Sequence, residues 1–282
     1  MDVAMDGPLV ATAHDDGVGR LWDAGTGRPL RALERHDDAV VRVALRGGVV
    51  ATAGSDGLGR LWDARSGEPL AVLAGHLAPV GAVALGAIDG RPVAATGGAD
   101  LTVRLWDART GSELAVLEGH GAAVWAVALG EVDGRPVVAA AGDDRTARLW
   151  DARGGGVLHV LRGHGDLVGG VALGVVAGRP VVATAGDDRT ARLWDACTGR
   201  QLHLLDHPSL VRGVALGEVG GRPVLVTGDA TGAIHGWDAA TGRRRWRLAG
   251  RRAIRGVALG VADGRPAIAG ADGEAVRVWA VD

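Results

Sequence analysis

The sequence has no lysine, no asparagine, no phenylalanine and no tyrosine, and one cysteine, Cys197. Each absence removes a class of chemistry. Without lysine there is no P-loop amine, no Schiff base and no serine–lysine dyad. Without asparagine there is no N-glycosylation acceptor. A lone cysteine forms neither an internal disulfide nor a thiolate metal cluster. All nine aromatic residues are Trp, all 31 cations are Arg, and the net charge of −2 gives no general signal for nucleic acid. The start, Met-Asp-Val-Ala-Met-Asp, is acidic and lacks the apolar run of a secretory signal. No stretch reaches the roughly 18 apolar residues of a membrane span. These features lead us to expect a cytoplasmic protein without a membrane partner.

What is present is a repeat. Seven Trp residues recur at matching places, Trp22, Trp62, Trp106, Trp150, Trp194, Trp237 and Trp279, spaced 40 to 44 residues apart. Six of them precede Asp; the last precedes Ala280. Each interval holds short Val- and Ala-rich runs between Gly, Asp and Pro turns, as in Val124 to Leu129, Val137 to Ala141 and Ala147 to Trp150. Such runs are strands, and a helix has nowhere to fit. The residue two before each Trp shares its strand face. It is Arg20, Arg60, Arg104, Arg148, Arg192, His235 or Arg277. A four-stranded sheet repeated seven times closes as a ring in which each sheet buries both faces.

The Gly-His … Trp-Asp pattern resembles the WD-repeat β-propeller family over essentially the whole chain. Gly75-His76, Gly119-His120 and Gly163-His164 each place a histidine 30 residues before a Trp-Asp. Gly90-Arg91-Pro92, Gly134-Arg135-Pro136 and Gly178-Arg179-Pro180 before the second strands resemble the bacterial type. The expected fold is all-β, a seven-bladed propeller of four-stranded antiparallel blades forming one domain over 1–282. Its blades fall near 1–35, 36–75, 76–119, 120–163, 164–206, 207–250 and 251–282, the first and last incomplete. The chain then ends after the third strand of blade seven, and Ala275 to Val281 is expected to be an open edge.

The resemblance implies a buried hydrogen-bond network in each blade, joining the Gly-His histidine, a second-strand hydroxyl, a turn aspartate and the Trp. The physics agrees, because a buried indole N–H needs an acceptor and a buried imidazole needs both nitrogens satisfied. Three full sets are His36, Thr52, Asp56 and Trp62; His76, Thr96, Asp100 and Trp106; His164, Thr184, Asp188 and Trp194. Blade four has His120, Asp144 and Trp150 but Ala140 in place of the hydroxyl, where a Thr is expected to be tolerated. Blade six has His207, Thr227 and Trp237 but Thr231 where the aspartate belongs, and blade seven has Arg251 for the histidine. A Thr–His–Asp set invites a catalytic reading, but a triad is unique in its domain and this one recurs at even spacing. No catalytic residue, cofactor site or metal site is assigned. His159 and His203 share a position in adjacent outer strands without a third ligand.

The run Gly242 to Arg252 carries six Arg and Trp246. It reads either as an anion or nucleic-acid patch or as an outer edge strand whose charge blocks pairing. The resemblance also implies a top face around the channel mouth, formed by the residue after the first-strand valine and the residue before the turn aspartate. Candidates for partner contact there are Trp125, Asp143 and Asp187 on blades four and five, and Arg212 and Arg255 on blades six and seven. The expected function is a non-catalytic scaffold for proteins or peptides. The alternatives are a sensor segment of a larger multidomain protein and an enzyme with a site in the channel. The innermost strands, Val83 to Leu85, Val127 to Leu129 and Val171 to Leu173, are apolar and argue against the last.

Overall fold

Val-rich runs separated by two-residue Asp-Gly or Ala-Gly links fold into hairpins, because such links accept positive φ at both positions. Asp89-Gly90, Asp133-Gly134 and Ala177-Gly178 all have positive φ in the computed structural model, which describes residues 2–250, 252–262, 264–272 and 275–281. This geometry matches strand twist, so Ile88 pairs directly with Arg91 across its turn. Repetition yields seven antiparallel sheets, each ordered as a simple meander. No helix occurs among the described residues.

Six sheets have four strands and the last has three: Gly256–Ala262, Arg265–Ala271 and Val276–Ala280. Blade one corrects the expectation of an incomplete start. It has four strands, Asp2–Asp6, Leu9–Ala13, Arg20–Asp23 and Pro29–Ala32. Its strands are shortened: the innermost has five residues against nine in blades three to six, and the second has five against eight. The first strands of all seven blades line an axial channel whose walls are mainly Val, Ala and Leu.

The core lies in the wedges between neighbouring blades. Each outer strand drives one leucine inward, and Leu33, Leu73, Leu117, Leu161 and Leu205 are all at most 4% exposed. Each packs against the next blade's Trp, as Leu73 does in one cluster with Trp106. A second contact is graded by size. A methyl group at Gly59 would lie 3.3 Å from the Thr96 methyl of the next blade, and one at Gly19 would lie 3.2 Å from that of Thr52. Where the next blade lacks that threonine, the facing residue is larger. Val103 shares a cluster with Ala140, and the Ile234 side chain fills the space over Gly270. Interblade volume is therefore conserved although the residues differ.

The seam between blades seven and one departs from this pattern. Among the described residues no outer strand or leucine covers Val276 and Val278, and a cavity opens between them and Val10, Thr12 and Trp22 of blade one. Fewer apolar contacts and an unpaired edge lower the local opening free energy. Amides of blade seven should therefore exchange with solvent faster than those of blades three to five in hydrogen-exchange mass spectrometry. Uniform protection round the ring would show that another contact closes the seam.

Candidate functional site

Two places concentrate polar side chains: the wedges, and the mouth of the channel. In the wedges of blades two, three and five the third strand delivers an indole and the second strand a hydroxyl. Trp62, Trp106 and Trp194 donate through Nε1 to Thr52, Thr96 and Thr184 Oγ1 at 3.0, 2.8 and 2.9 Å. Those hydroxyls meet His36, His76 and His164 Nε2 at 2.7, 2.8 and 2.8 Å. On the far side of each ring Nδ1 meets Asp56, Asp100 or Asp188, at 3.1, 3.0 and 2.9 Å. The consistent proton assignment is Nδ1–H to carboxylate and Thr O–H to Nε2. Each carboxylate also accepts backbone N–H groups: Asp188 takes those of Gly165 and Thr190 at 3.0 and 3.1 Å. It thereby ties the histidine loop to the turn between strands two and three. The threonines are fully buried, so the set has no access to a substrate.

Burial pushes the histidines down from their ordinary pKa, against the upward pull of the aspartates on His36, His76 and His164. Burial would raise the aspartates, but the N–H, hydroxyl and imidazole donors outweigh it, and Asp144 is held down at about 2. Blade four shows the cost of a missing hydroxyl. With Ala140 in place of threonine, His120 Nε2 and Trp150 Nε1 have no hydrogen-bond partner among the described residues. Their ring centroids lie 5.6 Å apart, against 6.5 Å in blades three and five. Val103 qualifies the expectation that threonine would be tolerated in place of Ala140, since it shares that core cluster and stands at the strand position where Gly19 and Gly59 leave room for a threonine methyl.

Blade six solves the problem differently. Asp229, at the end of the second strand, supplies the carboxylate that Thr231 lacks and meets His235 Nε2 at 2.8 Å. In blades two, three and five this strand position is glycine, because a side chain would strike the His–Asp pair; a methyl at Gly186 would lie 2.6 Å from His164 Nδ1. The signal for Asp229 was therefore legible as an aspartate in a glycine column.

The channel mouth is shaped by bulges. Strand register shifts at Val41, Gly81, Trp125, Gly169 and Arg212, so each of these residues turns out of the ladder. The Trp125 ring lies over Gly81, where a methyl would be 2.7 Å away, and its Nε1 has no partner among the described residues. Trp125, Arg212 and Arg255 line one depression with Asp15, Val41, Arg42, Leu167 and Gly169. Asp187 does not form a separate acidic sector with Trp125; it binds Arg212 through both oxygens, at 3.0 and 2.7 Å. Asp143 is exposed and lies outside the depression. Arg42 was not among the sequence candidates. It reaches across the channel to donate to the Trp125 and Gly169 carbonyls at 3.4 and 3.2 Å. The matching residues in blades three to seven are Ala82, Ala126, Gly170, Gly213 and Gly256, so the break in a column of small residues marks it.

The remaining candidates have structural surroundings. Trp246 lies on Gly236, with which it pairs across the strands; in blade two the same pair is Leu61 and Ala71. Its ring thus fills core volume, and the arginine run forms an exposed outer strand, Arg244–Ala249. His159 and His203 bond the carbonyls of Cys197 and Ala240 in the next blade's turn, at 3.0 and 3.1 Å. Arg251 lies outside the described residues.

The family model described as "WD domain, G-beta repeat" matches residues 67–107, 111–151 and 155–195. Each match ends on the Asp of a Trp-Asp, spanning one blade's outer strand and the three inner strands of the next. Three consecutive matches within seven such sheets in one ring support a WD-repeat β-propeller. No curated protein matches it.

Two outcomes follow from the wedge geometry. Thr184→Ala should lower stability by about 1–2 kcal/mol, the cost of stranding buried partners. Ala140→Thr alone should be destabilising through overpacking, whereas Val103→Ala with Ala140→Thr recreates the Ala147–Thr184 pairing of the next interface. That double variant should unfold at higher urea than the parent, with a favourable coupling between the two changes. Additive effects would disconnect the two positions.

A further outcome concerns pH. Histidines whose folded pKa lies below 6.5 take up protons first in the unfolded chain. Stability should be level above neutral pH and fall as pH drops below 6.5. It should fall further below 3.8, where the unfolded chain protonates the aspartates Asp56, Asp100 and Asp188 before the folded one does. Denaturant midpoints measured across that range check this, and a flat profile between pH 6.5 and 4.5 would contradict it.

Proposed function

We propose that the protein is a non-catalytic, cytoplasmic scaffold that binds protein or peptide partners at the channel mouth. The observation that carries this reading is the depression around Trp125. An aromatic ring with an unused N–H lies beside Arg42, Arg212 and Arg255, and Trp and Arg are the residue types that most often anchor interfaces. The mouth is also rigid, since Arg42 spans the channel from blade two to blades four and five. A preformed surface loses little entropy on binding. The apolar channel wall and the buried threonines support a binding role over a chemical one. Asp143, at the rim, and Asp187, paired with Arg212, belong to the same proposed face.

Trp125→Ala, and separately Arg212→Ala with Arg255→Ala, should abolish capture of partners by the immobilised chain while leaving the melting temperature nearly unchanged. Full retention of the same partners by both variants would place binding elsewhere.

A further inference from the structure

Blade six differs from blade five by three coordinated replacements. Asp229 stands where Gly186 does, Thr231 where Asp188 does, and His235 where Arg192 does. The result brings two imidazoles and a carboxylate together in place of one imidazole and one carboxylate. His207, Asp229 and His235 each offer a ligand atom within 4.8 Å of the other two. They are 8%, 0% and 1% exposed.

Hydrogen bonding leaves this cluster unfinished. His207 Nε2 meets Thr227 Oγ1 at 3.3 Å, a longer contact than in the sister blades, and His235 Nε2 meets Asp229. The Nδ1 atoms of both histidines are buried with no partner among the described residues. In blades two, three and five the equivalent histidine has both nitrogens bonded. Two buried imidazoles with unsatisfied nitrogens and a carboxylate within reach of both are the donor types that a borderline-soft divalent ion takes.

We propose that His207, Asp229 and His235 bind a divalent transition-metal ion, with zinc the best match to two imidazoles and a carboxylate. Each ligand comes from a different segment: the loop before the first strand, the end of the second strand and the third strand. The ion would thus staple blade six together. Burial keeps a substrate from the fourth coordination position, so the ion's role is structural. Asp229 is oriented by the Thr231 hydroxyl and by the Thr231 and Ala233 N–H groups, the kind of outer support that metal-binding carboxylates have. Donors in a tetrahedral zinc site lie about 3.4 Å apart, so ion binding draws the three side chains closer. Arg244 and Arg247 act on the cluster from the outer strand and weaken its affinity for a cation.

The test uses the full chain without a histidine tag, titrated with Co²⁺ and, in parallel, Zn²⁺. One equivalent of Co²⁺ should bind with the visible absorption of low-coordinate cobalt, and Zn²⁺ should displace it and raise the melting temperature. The comparison variant carries Asp229→Gly, Thr231→Asp and His235→Arg, which restore the residues of blade five and preserve folding. It should bind at least about tenfold more weakly and show neither the absorption nor the thermal shift. His235→Gln provides a second, smaller change with the same expectation. No uptake by the parent chain, or equal uptake by parent and variants, as from the exposed His159 and His203, would overturn the proposal.

Discussion

An indole N–H buried between two sheets is costly to leave without an acceptor, and most of this ring is arranged around that cost. The acceptor is a threonine hydroxyl one strand away, whose own proton goes to a histidine. The histidine then needs a carboxylate, which is fixed by backbone N–H groups of the loop and turn it joins. One buried donor thus recruits a chain of partners that connects three parts of a blade. Each member is expensive to strand in a low-dielectric wedge, so the chain specifies as well as stabilises.

Close packing imposes a second demand on the same position. The threonine methyl meets the third strand of the preceding blade, where only Gly or Ala fits beside it in four of the wedges. When the hydroxyl is replaced, as at Ala140 and Gly270, the opposing residue becomes Val103 or Ile234. Volume is restored and hydrogen bonding is not, which leaves His120 Nε2 and Trp150 Nε1 without partners among the described residues. The ring therefore tolerates a lost polar contact more readily than a void. The seam at blade one keeps the indole bond, from Trp22 Nε1 to Thr12 Oγ1 at 2.8 Å, and departs in packing, because among the described residues no outer-strand leucine covers Trp22.

The channel mouth depends on a different local device. In blades two to six a bulge in the first strand turns one residue out of the ladder, and that residue is free of the wedge's packing rules. Trp125 and Arg212 can stand there because their neighbours are Gly81 and Gly169. Variation without structural penalty at the mouth, above a uniform apolar channel, is how a repetitive scaffold acquires an individual surface.

The spacing of seven Trp, the strand-length apolar runs and the turn residues determine the number of blades and the members of each full network. These are local properties, set by side-chain period, turn chemistry and the need to satisfy buried polar groups, and every one can be read along the chain. Asp229 and Arg42 were also visible, as exceptions in columns of glycine or small residues, but what each exception does depends on neighbours far away in sequence. Arg42 meets carbonyls of Trp125 and Gly169 only because the ring brings blades two, four and five to one axis. The joining of Asp187 to Arg212, the filling of space by Trp246 over Gly236 and the matching of Val103 to Ala140 are likewise contacts across a strand or blade boundary. A sequence pattern specifies which way a side chain points within its own sheet; which atoms it meets there is decided by closure of the ring, because that alone sets the distance between one blade and the next.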